Sequence, residues 1–171
     1  SLGIDSAGNI YTGDEGNMRV MRFAGDVADA PATGGTATPA NAILFSKNPG
    51  HYGHINANKL SGKGFFAPHK VKFAAYASGA KQMFVRDAWR VLFWDGYDGA
   101  GVTNGATASG VLYQPNLTTN TPNDDVADHI ADIDSHSRGR IMIAVTDKVD
   151  LFQGPVVSGQ RPLATLHLSN V

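Results

Sequence analysis

The chain has 171 residues, 14 basic and 15 acidic side chains, a net charge of -1 and no cysteine. That length fits one domain, residues 1–171, able to bury a core without staples. The absence of cysteine excludes disulfide scaffolds, thiol nucleophiles and cysteine-ligated metal centres. Balanced charge argues against nucleic acid as a partner. No apolar run is long enough for a membrane-spanning helix. No signal peptide is visible, so a soluble, already processed chain is expected. Charged residues make up 17% of the chain, against about 25% in an ordinary soluble domain. All but one of the acids are aspartate; the exception is Glu15. Aspartate suits turns and caps, glutamate helix interiors. With 20 Gly and 8 Pro, this composition predicts many short strands and turns.

In chain order, turn clusters at 5–9 and 13–17 flank a short strand, Ile10–Thr12, and a second β-favouring segment runs from Met18 to Phe23. Residues 24–41 are small and rich in Ala, Gly and Thr, and are expected to form a flexible N-terminal arm or long loop. Ala42–Ser46 reads as a buried strand, and 47–69 as irregular. Lys70–Tyr76 opens with lysines alternating against Val71 and Phe73, the pattern of a half-exposed or edge strand. Gln82–Arg86 and Trp89–Trp94 follow, the latter the most strand-like segment, with Trp89, Val91 and Phe93 on one face. Gly110–Gln114 is a further strand and 115–125 a polar loop. Residues 125–136 are expected to form one short helix: Asn123 or Asp124 caps it, Val126, Ile130 and Ile133 form an apolar stripe, and Gly139 stops it. Strands follow at 140–146, 149–152 and 162–168. No internal repeat is apparent. The pattern predicts a mainly β fold, a β-sandwich or a jelly-roll or barrel-like form, with long Gly/Ala/Thr-rich loops.

Candidate chemistry is sparse. On the expected helix, Asp125, His129, Asp132 and His136 would fall within about 60° of the circumference, a spacing that can chelate a divalent metal. His51 and His54, with His69, form a second candidate half-site. Asp5, Asn9, Asp14 and Asn17 lie in turns that could hold Ca²⁺, although the EF-hand pattern is absent. No serine-nucleophile elbow, paired-glutamate site, Walker A or dinucleotide fingerprint occurs. The expectation is therefore no cofactor and no catalysis, with Ca²⁺ or another divalent metal as the exception. Trp89, Trp94, Tyr97 and Tyr113 are the candidate interface or binding residues, because aromatics dominate contact surfaces. The alternative places several of them on a sugar-stacking platform.

The stretch from Arg90 to Gly101, with Gly105 to Leu112, resembles a segment of the head-decoration proteins of tailed phages. The matching positions are Trp94, Asp95, Gly96, Gly110, Val111 and Leu112. The resemblance implies a β-rich cement protein that trimerises on a capsid exterior. Low charge and long Ala/Gly/Thr segments point separately to a chain that gains order against neighbours. The expected function is a structural subunit of an ordered assembly, a virion decoration or minor capsid protein. It would bind copies of itself and other subunits through β-edges, arms and aromatic surface, in a virion or extracellular setting. The alternatives are an extracellular carbohydrate- or ligand-binding β-sandwich module and a metal-dependent enzyme.

Overall fold

The computed structural model describes residues 2–23, 42–44, 65–97, 106–126, 129–136 and 138–168. The expected arm at 24–41, and His51 and His54, lie outside the described residues. The fold is mainly β, as the composition predicts. Among the described residues, twelve strands form three four-stranded antiparallel sheets. The first holds β1 (Leu2–Ile4), β2 (Ile10–Asp14), β3 (Arg19–Phe23) and β4 (Ala42–Leu44). The second holds β5 (Pro68–Ala75), β6 (Lys81–Asp87), β7 (Arg90–Asp95) and β8 (Gly110–Leu112). The third holds β9 (Asp132–His136), β10 (Arg140–Val145), β11 (Lys148–Gln153) and β12 (Ala164–His167).

In every sheet the strands lie side by side in chain order. Among the described residues no barrel closes and no jelly-roll crossing occurs; the sheets pack face to face, sandwich-like. The same meander made three times in succession is a structural repeat. It escapes sequence comparison because sheet formation needs only alternation and turns, which many residue combinations supply.

The second sheet is the middle layer. On one side Tyr11 and Val20 of the first sheet meet Val71, Met83, Val85, Leu92 and Trp94. On the other, Phe84, Val91, Phe93 and Leu112 meet Ile133, Ile141, Ile143 and Phe152 of the third sheet. Burial on both faces explains why β7 reads as a continuous apolar run: Val91 and Phe93 enter one core, Leu92 and Trp94 the other. Each fully buried side chain of this size contributes about 1.5–3 kcal/mol of transfer free energy.

Backbones of neighbouring sheets approach most closely along their first strands, β5 against β1 and β2 on one side and against β9 on the other. Glycines permit this. A Cβ on Gly3 would collide with the Val71 carbonyl, and one on Gly13 with the Pro68 carbonyl.

The expected helix at 125–136 does not form. Residues 132–136 are β9, paired with β10 from Asp132 opposite Ala144 to His136 opposite Arg140. Asn123, instead of starting a helix, accepts the Asp125 and Val126 amides at 2.9 and 3.0 Å in a local turn. Val126, Ile130 and Ile133 are all buried in one core, as the apolar stripe required, but the segment reaches it differently. The Ile130 N–H donates to the Ala88 carbonyl and the Ala131 N–H to the Ala144 carbonyl. Asp, Ser and His are indifferent helix formers, so pairing with β10 decides the outcome.

The polar loop at 115–125 is tied to the second sheet by buried polar contacts. Asp87 and Arg90, both fully buried, form an ion pair at 2.7 Å. The Asp87 carboxylate also accepts the Phe66 and Ala67 amides and the Asn120 side chain. Arg90 donates to the Leu117 carbonyl at 2.6 Å, and Gln114 to the Trp89 and Thr121 carbonyls. This polar knot holds the segment against the β6–β7 turn. Burial pushes the Asp87 carboxyl up from its ordinary value, and the Arg90 guanidinium pulls against it.

Candidate functional site

The four aromatics expected at one contact surface are distributed through the molecule. Trp94 is fully buried, and its Nε1 donates to the Ala106 carbonyl at 3.1 Å. It is a core residue, because its place on β7 turns it toward the first sheet. Tyr97 packs against the same core, whereas Trp89 and Tyr113 pack against the other. No shared stacking platform exists. Trp89 is half-buried between the rings of His129, at 4.4 Å, and Phe66, at 5.9 Å.

Without the helix, Asp125, His129, Asp132 and His136 have no common face. Asp132 forms an ion pair with Lys70, and His129 lies on Trp89. Among the described residues no three His, Asp or Glu side chains converge as metal ligands. His69 pairs with Glu15 at 2.8 Å. In the first turn, Asp5 accepts the Ala7 and Asn9 amides, the Asn9 side chain and the Tyr11 hydroxyl. Burial opposes its charge, but these bonds outweigh it and hold the carboxyl below the usual range.

One concave site combines a candidate aromatic with a buried charge. It is a cleft of about 470 Å³ beside β11 and β12, lined by Tyr113, Asn123, Asp125, Asp150, Arg161 and Thr165 among others. Asp150 is fully buried. It accepts the Tyr113 hydroxyl at 2.9 Å and the Thr165 hydroxyl at 2.5 Å, and Lys148 lies 3.4 Å away. Tyr113 has φ +66°, a left-handed conformation uncommon outside glycine. Its carbonyl takes a hydrogen bond from Asn123 at 2.7 Å, and its ring meets Phe152 edge-on. Burial, then the Asp150 charge, pushes the Tyr113 hydroxyl up, so it remains a protonated donor. Both Asp150 oxygens are engaged. The cleft therefore offers fixed hydrogen-bonding groups around Asp150, with the Asp125 carboxylate also in its lining. Asp150 was legible in outline: in Lys148–Gln153 it sits on the same strand face as Phe152, an inward position occupied by a charge.

A second charged region lines the inner strands. Lys70 reaches Asp132, and Lys72 reaches Asp134 at 2.9 Å. Arg86 lies nearby, half-buried, with its Nε lacking a hydrogen-bond partner. These pairs link the second and third sheets; the alternation of Lys70 and Lys72 is what the sequence displays, and their carboxylate partners are what it conceals. No protein-family model matches the chain, and no curated protein sequence matches it.

Proposed function

We propose that this chain is a structural module that assembles through the two outward faces of its sheet stack. The observation that carries this is the large apolar side chains exposed on both faces. On the first sheet, Leu2 and Ile4 are each 63% exposed, and Leu166 on the third is 65% exposed. A sheet face of this kind is stable in water when another layer covers it, and contiguous exposed apolar surface marks contact sites. A capsid-decoration role is the narrower form of this reading. It rests on the resemblance at residues 90–112, whose Trp94, Val111 and Leu112 are buried in the middle sheet; the contact surface would lie on the outer sheets instead.

The test is sedimentation velocity across a concentration series, with Ile4→Lys and Leu166→Lys as variants. The parent chain should associate. The variants should sediment as monomers with an unchanged β circular dichroism spectrum. A parent chain that stays monomeric at every concentration defeats the proposal.

The cleft at Asp150 favours a second reading, a binding module for a polar, hydroxyl-rich ligand, which the left-handed backbone at Tyr113 supports as a locally strained site. Glycan binding lost on Arg161→Ala and retained in Ile4→Lys would select it.

A further inference from the structure

We infer that the cleft beside β11 and β12 is built for an acidic saccharide, a sugar that carries a carboxylate as the hexuronates do. This deepens the second reading and rests on it. The cleft lies between the loop that follows β8 and the inward side of the third sheet, the side of Phe152 and buried Asp150. Its two walls differ in chemistry. The wall from the loop after β8 presents acceptors. Gln114 is only 6% exposed. Its Nε2 donates to the Trp89 and Thr121 carbonyls at 3.0 and 2.8 Å, which fixes the orientation of the amide. Its Oε1 is left in the cleft lining with no donor among the described residues. An acceptor fixed in this way takes its donor from water or from a ligand hydroxyl. The exposed Asp125 carboxylate belongs to the same wall and is a further acceptor for hydroxyls.

The opposite wall, from β11 and its connection to β12, is cationic. Lys148 lies 3.4 Å from Asp150 and keeps further N–H donors for a ligand. Arg161 is exposed and enters no ion pair among the described residues. Two cations against the one buried carboxylate of Asp150 leave a single positive charge. That answers one carboxylate, whereas a phosphate monoester carries about 1.5–2 negative charges near neutral pH. A guanidinium also takes a carboxylate in a two-point fork. Both walls are set before a ligand arrives. Gln114 is anchored to the β6–β7 turn through Trp89. The turn at 157–160, immediately before Arg161, is tied to two strands. The Gln160 side chain donates to the Gln153 carbonyl at 2.9 Å, and the Ser158 hydroxyl accepts the Val111 amide at 2.9 Å. Walls fixed in advance lose little freedom on binding. The volume of about 470 Å³ lies within the range of small-ligand sites.

The probes are short oligomers of galacturonate, glucuronate and mannuronate on an array that also carries neutral oligosaccharides. Each acid stands beside its methyl ester, which keeps the hydroxyls and removes the charge. The inference expects at least one acid to bind, with its ester weaker by about tenfold or more, as loss of a charged hydrogen bond predicts. Arg161→Ala should bring the acid down to the level of the ester, and Arg161→Lys should restore part of the difference. An ester or a neutral oligosaccharide that binds as tightly as the acids overturns the carboxylate assignment and leaves the second reading standing. Acid binding that survives Arg161→Ala overturns the inference by placing the site elsewhere. Absence of binding to every saccharide on the array overturns both.

Discussion

Lys72 on β5 and Asp134 on β9 meet at 2.9 Å, joining the first strands of two neighbouring sheets. The hydrogen bond from Lys72 is the main reason that the Asp134 carboxyl lies below its ordinary value, outweighing partial burial. Asp5 is lowered too, by its bonds from Asn9 and Tyr11 against the pull of burial. A carboxyl lowered in the folded state stabilises it above the unfolded value, near pH 4, and loses that contribution as pH falls through the folded value. The urea midpoint should therefore drop between pH 6 and pH 3. Lys72→Met should shrink that drop modestly, since partly exposed pairs contribute about 0–1 kcal/mol.

The buried pair of Asp87 and Arg90 predicts a sharper effect. Asp87→Ala strands the Arg90 guanidinium and should cost about 3–5 kcal/mol in chemical denaturation. Adding Arg90→Met to Asp87→Ala should recover part of the loss, because the uncompensated charge is gone.

Gly3→Ala places a methyl group against the Val71 carbonyl, which cannot move without shifting β5. The expected loss is about 1–3 kcal/mol, read from the thermal midpoint. Gly16→Ala is the matched control: nothing lies near its added Cβ, and its midpoint should stay nearly unchanged.

Tyr113→Phe removes one of the hydroxyl donors to Asp150 and leaves Thr165 and Lys148 in place. A hydrogen bond to a buried charge contributes about 1.5–3 kcal/mol, so the unfolding free energy from denaturant titration should fall by that amount.

The strands were readable where alternation was strong. Arg140–Val145 shows its inward Ile141, Ile143 and Val145 directly, and the run from Arg90 to Asp95 announces a buried strand. Trp94 was misplaced because a strand covered on both sides offers no solvent face, and one sequence cannot reveal how many layers surround it. The segment 125–136 was misread because Val126, Ile130 and Ile133 suit a helical stripe and a bent extended path equally well. The ladder between β9 and β10 settles it, and no residue within the segment encodes that partner alone. The cleft was half legible: Tyr113 stood out as an aromatic, whereas Asp150 and Thr165 join it only once β11 and β12 are paired.

The side-by-side order of strands within each sheet bears on how the chain is made. Every sheet draws on one uninterrupted stretch, so a nascent polypeptide delivers each layer whole before the next begins to emerge. The first layer can take shape at the ribosome and present Tyr11 and Val20 as a template for the second, and the second for the third. Growth of this kind is vectorial, and a lesion late in the chain should leave the earlier layers able to form.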